Sequence, residues 1–200
     1  LGAKRTVIAL KGKYKAEIAA LEDSISRLNA PVEIFKMKTF YPAGDEQTMV
    51  QQVTGRSVPE RGLPLDVGCV VDNVGTLLNI MDALEDRPVT DKYLSVVGEV
   101  KEPIMLHVPI GTPLTECVAA AAPTITKYAI IVGGPMMGNF GQPDQPVTKT
   151  TNAIIVLSRN HPLVLKKQSR FSIDVARAAS ICCQCQTCTD LCPRHNLGHP

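Results

Sequence analysis

Short apolar runs separated by polar turns set the pattern of this chain. Thr6-Val7-Ile8-Ala9-Leu10 is strand-sized, and beyond a basic Lys11-Gly12-Lys13 turn a helical pattern covers 14–28. Ile18, Leu21, Ile25 and Leu28 recur there at spacings of three and four, which aligns one apolar face for packing on a sheet. Asn29-Ala30-Pro31 stops the helix, and Val32-Glu33-Ile34-Phe35 begins a second strand. Strand, helix and strand in so short a span predict a parallel βαβ unit with a right-handed crossover.

A stretch rich in turn formers follows, from Phe40-Tyr41-Pro42-Ala43-Gly44-Asp45-Glu46 through a helix over 46–54 to Gly55-Arg56 and Gly62-Leu63-Pro64. It carries too many turn residues for a core and is too well punctuated for disorder, so it reads as a site loop. Val67-Gly68-Cys69-Val70-Val71 reads as a buried strand, and Asp72-Asn73-Val74-Gly75-Thr76 as a polar turn feeding a helix over 77–84. A turn in that position is where α/β sheets bind ligands, because the following helix presents free N–H groups.

From Thr90 the elements shorten: strands over 93–100 and 104–108, a helix over 114–121, and a strand over 128–132 running into Gly133-Gly134-Pro135-Met136-Met137-Gly138. Two strands, a helix and a further strand suggest a small α+β module of β-grasp type. A Pro-bearing link leads to a strand over 153–157, and a helix over 172–181 delivers a group of cysteines.

Composition changes this picture little: 44% hydrophobic and 20% charged residues describe a globular chain with one large or two small cores. A net charge of +2 with scattered Lys and Arg, and an absence of Trp, argue against nucleic-acid binding. No run approaches the roughly 18 to 20 apolar residues of a transmembrane segment. The start at Leu1-Gly2-Ala3-Lys4-Arg5 has neither Met nor a signal-peptide core and reads as an internal cut.

The strongest chemical signal is Cys182-Cys183-Gln184-Cys185-Gln186-Thr187-Cys188-Thr189-Asp190-Leu191-Cys192-Pro193. Ligands at Cys182, Cys185, Cys188 and Cys192 give C-x2-C-x2-C-x3-C-P, the run that wraps a 4Fe-4S cubane and whose fourth cysteine serves another cluster in two-cluster ferredoxins. A second run is absent and the chain stops at Pro200, so these residues are expected to be a piece of a longer protein that has two clusters. Zinc favours separated ligand pairs, and disulfides need an oxidising compartment that a thiol-rich motif without a signal sequence argues against. Cys69 and Cys117 read as core thiols, and His107, His161, His195 and His199 share no metal-ligand spacing and read as fold or surface residues.

Beside this run stand Tyr41-Pro42-x-Gly44-Asp45-Glu46, Thr54-Gly55-Arg56, Gly62-Leu63-Pro64-x-Asp66-Val67-Gly68, Val71-x-Asn73-Val74-x-Thr76 and Gly133-Gly134-Pro135-Met136-Met137-Gly138. In this order the chain resembles the cobalamin reductase family of bacterial propanediol utilisation and the C subunits of Rnf complexes, both similar to the flavin-binding subunit of respiratory complex I. The resemblance implies a truncated Rossmann-like FMN- and NADH-binding α/β domain over 1–90 and a β-grasp soluble-ligand-binding module over 91–150. It further implies a connecting strand and helix over 151–180, and the first half of a ferredoxin-type domain over 181–200. Tyr41, Gly44, Asp45, Glu46, Asn73 and Thr76 would contact flavin or nicotinamide nucleotide, while the glycine-rich phosphate loop of the family lies upstream of the chain. Where the respiratory protein has Glu-Glu, this chain has Asp45-Glu46. Without the resemblance, Asp45 and Glu46 read first as the cap of a helix and a complement to its dipole, and Asn73 and Thr76 could likewise form a turn and an N-cap.

For the intact protein the resemblance implies NADH-dependent reduction of a corrinoid, or of a corrinoid-dependent enzyme or adenosyltransferase, in the cytoplasm within a bacterial microcompartment. The alternatives are electron input to an ion-pumping complex, peripheral on the inner membrane, and a non-catalytic docking module with structural clusters. The fragment alone is expected to be inactive.

Overall fold

The computed structural model describes residues 2–199; Leu1 and Pro200, the outer ends of the first and last expected domains, lie outside the described residues. Along the chain run β1 (Thr6–Lys11), α1 (Lys15–Leu28), β2 (Val32–Met37), α2 (Glu46–Thr54), α3 (Val74–Leu84), β3 (Asp91–Gly98), β4 (Ile104–Pro109), α4 (Leu114–Ala120), β5 (Tyr128–Val132), β6 (Asn139–Gly141), β7 (Ala153–Ser158), α5 (Pro162–Lys167), α6 (Phe171–Ile181), α7 (Thr187–Asp190) and α8 (Pro193–Asn196). They form two compact units, Leu1–Val71 with Cys183–Pro200, and Asp72–Cys182. The class is mixed α/β.

In the first unit β1 and β2 pair in parallel, Thr6 opposite Val32 and Lys11 opposite Met37, with α1 as the crossover. The βαβ unit expected from the apolar spacing is therefore present. Ile18 of α1 is buried, whereas Leu28, assigned to the same face, is 72% exposed at the end of the helix. Asn29 closes α1 in the left-handed conformation that Asn tolerates, and its N–H donates to the Ser26 carbonyl.

The apolar stretch 67–71 is not a strand. Pro64 opens a 3-10 turn over Pro64–Val67, Asp66 Oδ2 accepts from Leu63 N at 2.8 Å, and Gly68 ends the turn at φ +74°. Val70, expected inside, is 76% exposed. The local turn chemistry of Pro, Asp and Gly overrides the apolar composition. Helix α3 likewise starts at Val74, three residues before the apolar pattern indicated, because Asn73 caps it.

The second unit is built on a five-stranded sheet in the order β4-β3-β7-β5-β6. β3 and β7 are parallel and the other neighbours antiparallel. Ala153–Ser158, read from the sequence as a connecting strand, thus has partners on both sides. Its side chains alternate between two cores: Ile154 and Val156 face Leu114, Cys117 and Val118 of α4, while Ile155 and Leu157 join Ile131 and Val164 of α5. Burial on both faces explains why the strand is continuously apolar rather than alternating. Helix α5 escapes the sequence pattern because it is a single turn and a half, started by Pro162 and capped by His161, whose Nδ1 accepts from Leu163 N at 3.1 Å.

Cys117 is a core thiol as expected, and burial pushes its pKa up; Cys69 is only half-buried. Gly98, at φ +106°, has no room for a side chain, since a Cβ there would lie 2.2 Å from the Val156 carbonyl oxygen. Ile154→Ala should destabilise the second unit by about 3 kcal/mol, whereas Leu28→Ala on the exposed end of α1 should change stability by less than about 0.5 kcal/mol, both measured by denaturant unfolding.

Candidate functional site

Residues 40–46 form a tight turn in which Ala43 N donates to the Phe40 carbonyl at 3.2 Å and Asp45 N to the Pro42 carbonyl at 2.7 Å. The Tyr41–Pro42 peptide is cis. Ala43 is buried and anchors the turn, which leaves Tyr41 exposed above it. A Cβ on Gly44 would meet nothing within 4 Å, so the backbone there is open to close approach.

Asp45 is the N-cap of α2: its Oδ1 accepts from Thr48 N at 3.1 Å and from Thr48 Oγ1 at 3.3 Å. Its free electron pairs are further engaged by Arg194, whose Nη2 lies 3.2 Å from Oδ2 and Nη1 3.4 Å from Oδ1. Glu46 occupies the first turn of α2, where a carboxylate complements the helix dipole, and is exposed. The capping alternative is thus realised for Asp45, while Glu46 keeps its carboxylate toward solvent.

Asn73 and Thr76 stand in the second unit, at the start of α3. Asn73 Oδ1 accepts from Gly75 N at 2.9 Å, and the Thr76 side chain is exposed. The two halves of the expected flavin site therefore stand in different units. Gly133 to Gly138 form a turn that excludes side chains at Gly138, where a Cβ would lie 2.5 Å from the Gly134 carbonyl oxygen. Met136 and Met137 are not core residues: both point outward, and Lys167 Nζ instead donates to the Met136 carbonyl at 3.1 Å and the Gly138 carbonyl at 2.7 Å.

The cysteine run leaves α6 at Cys182 and turns through Gln184 and Gln186, both at positive φ, into α7 and α8. Cys182, Cys183, Cys185 and Cys188 are exposed and Cys192 is half-buried. Thr187 brings the Cys185 thiol down to about 7, chiefly through its side chain, whose Oγ1 lies 3.2 Å from Sγ. Backbone N–H groups of His195 and Arg194 lower the Cys192 thiol in the same sense. Among the described residues, no three His, Cys, Asp or Glu side chains converge on a metal position. The donor set nonetheless fits an iron–sulfur cluster chemically, since closely spaced cysteine sulfurs are what iron corners require, and two of them, Cys185 and Cys192, are drawn toward thiolate.

Sequence reasoning missed Arg194 and Gln47, which bond to each other, and the further bond from Arg194 to Asp45 joins residues 149 positions apart. A basic residue after Cys-Pro was the only signal, and nothing local names its partner. His199 has a fold role, its Nε2 lying 3.0 Å from the Val58 carbonyl oxygen. His107 stacks on Tyr93 with ring centroids 4.2 Å apart.

Comparison with known proteins gives these features a context. Residues 1–82 match the family model of the Nuo51 FMN-binding domain, and residues 93–140 that of the SLBB domain. Cobalamin reductase PduS of Citrobacter freundii is 44% identical over 99% of this chain and 44% of its own length. The C subunit of the proton-translocating ferredoxin:NAD(+) oxidoreductase complex of Clostridium ljungdahlii is 32% identical over 98% of this chain and 40% of its own length. The chain thus spans less than half the length of these curated relatives. A chain of the NAD+-reducing [NiFe]-hydrogenase, crystallised in the H2-reduced state, shares the fold with a TM-score of 0.66 at 23% identity, over 78% of this chain and 34% of that one.

In metal-free protein, alkylation of Cys185 should rise with a midpoint near pH 7. The folded value lies below the ordinary thiol value, so thiolate persists until the pH falls through about 7. Thr187→Val should return the midpoint toward about 8.5, read by mass spectrometry of labelled peptides across pH.

Proposed function

From a chain similar over nearly all its length to cobalamin reductases and to ion-translocating C subunits, we propose an NADH-dependent flavin and iron–sulfur reductase as the function of the whole protein, with a corrinoid as electron acceptor. The observation that carries this reading is the 44% identity to a cobalamin reductase over 99% of the chain, with the FMN-binding family match over 1–82. The acceptor is free corrinoid or corrinoid held by an enzyme or adenosyltransferase.

FMN, when bound, converts the electron pair of NADH into single electrons. Tyr41 flanks the nucleotide, and the open backbone at Gly44 lets it approach. Glu46, rather than the already engaged Asp45, accepts hydrogen bonds from ribose hydroxyls. Asn73 and Thr76, at the N-terminus of α3, orient flavin or ribityl groups through hydrogen bonds and free backbone N–H groups. Cys182, Cys185 and Cys188 hold one 4Fe-4S cluster and Cys192 belongs to the other. Flavin binding falls to residues up to about 90 and cluster binding to 181–200, with the SLBB module between them.

The second reading is electron input to an ion-translocating complex, favoured by the 32% identity to a C subunit over 98% of the chain. No described helix is long and apolar enough to cross a membrane; the microcompartment interior fits the first reading and a peripheral membrane site the second.

Anaerobic absorption spectra and iron analysis of the full-length protein test the proposal. A flavin band with a broad cluster shoulder that bleaches on NADH is expected; a colourless, iron-free protein would overturn it. Glu46→Gln should raise KM for NADH about tenfold, the loss expected when a charged hydrogen-bond acceptor becomes neutral, measured by flavin reduction rates.

A further inference from the structure

The four cluster cysteines are not equally attached to the fold. Cys182, Cys185 and Cys188 are exposed, whereas the segment around Cys192 is seated in the first unit at three points. Leu197 is buried, and His199 reaches the carbonyl of Val58, itself 2% exposed. The third point is Arg194, which sets one nitrogen against each oxygen of Asp45 and donates to Gln47 as well.

This third contact differs from an ordinary surface ion pair. The guanidinium meets both carboxylate oxygens as a fork, the geometry in which such pairs gain most. Asp45 retains only 26% of its side-chain exposure, so solvent screens the pair partially. Asp45 is also fixed beforehand, because its capping bonds tie it to Thr48, which is buried. At the other end, Arg194 lies in the four-residue helix α8, which Cys192 itself caps. One residue thus links the carboxylate that starts α2 to the turn that carries Cys192. Leu191, Pro193 and Asn196 complete the seat along a cleft of about 170 Å³, facing Tyr41, Thr48 and Gln51.

We infer that the Asp45–Arg194 pair is the positioning contact that holds Cys192, and the cluster it ligates, against the start of α2. The inference rests on the reading above only in taking Cys192 as a cluster ligand. It gives Asp45 a task distinct from nucleotide binding: the acidic pair divides into Asp45, which clamps the cluster segment, and Glu46, which remains free. The start of α2 then serves the nucleotide on one residue and the cluster on its neighbour.

Asp45→Asn and Arg194→Gln separate this task from helix capping, since Asn caps as well as Asp but carries no charge. In metal-free full-length protein, each variant should speed amide exchange over 191–198, and alkylation of Cys192, by about tenfold, with the double variant no faster than either single one. Arg194→Lys should restore part of the protection, because it keeps the charge and loses the fork. In cluster-loaded protein, each single variant should alter the electron paramagnetic resonance signal of one cluster and leave the other unchanged. Unchanged exchange and alkylation would overturn the inference, as would faster exchange with both cluster signals unaltered. These metal-free measurements need neither flavin nor iron, so a full-length protein lacking both would sink the reductase reading without touching them.

Discussion

A strand with apolar side chains on both faces must be covered twice, and Ala153–Ser158 imposes that requirement on the second unit. Ile154 and Val156 need α4 on one side; Ile155 and Leu157 need α5 on the other. Each neighbouring strand gains a backbone partner from it, β3 in parallel and β5 in antiparallel register. The late position of this strand in the chain means that the sheet closes only when residues far from its start have been made. The Gly133 to Gly138 turn lies beyond one end of β5, and Lys167 from α5 satisfies its carbonyls. Core and turn are thus completed by the same short helix.

The first unit solves a different problem, the free N–H groups at the start of α2. Asp45 accepts from Thr48 N, Glu46 adds charge in the first turn, and Arg194 compensates the acidity thus gathered. A helix start bearing two carboxylates in a row favours cations and hydrogen-bond donors nearby. The guanidinium of Arg194 meets one of these demands, and the hydroxyl groups of a nucleotide sugar are suited to the other. The second unit repeats the device at α3 with a neutral cap, Asn73, which leaves the helix N-terminus receptive to anions. The acidic start in one unit and the neutral start in the other therefore favour different ligand groups.

The cysteine segment carries little regular structure by itself. Its two helices have four residues each, and their caps at Gln186 and Cys192 make no side-chain hydrogen bond. What order it has on the Cys192 side comes from burial of Leu197 and from His199 and Arg194 reaching Val58 and Asp45 of the first unit. The thiols themselves are held toward thiolate by short-range donors, Thr187 at Cys185 and backbone amides at Cys192.

Local rules were legible in the sequence. The apolar spacing of Ile18, Leu21 and Ile25 marked α1, and Asp45 and Gly55 bracketed α2. The order of the glycine and acidic motifs further carried the family resemblance, because turns demand particular residues at particular places. Misreadings arose where composition and turn chemistry disagreed, as at Val70, or where a side chain's burial depended on distant neighbours, as at Cys69. The tertiary structure alone decided that Ala153–Ser158 is central rather than connecting, since a strand's partners are a property of the sheet and not of the strand. It alone decided that Asp45 meets Arg194. A charge pair 149 residues apart leaves no periodicity to read, and only the closing of the chain brings its members within reach.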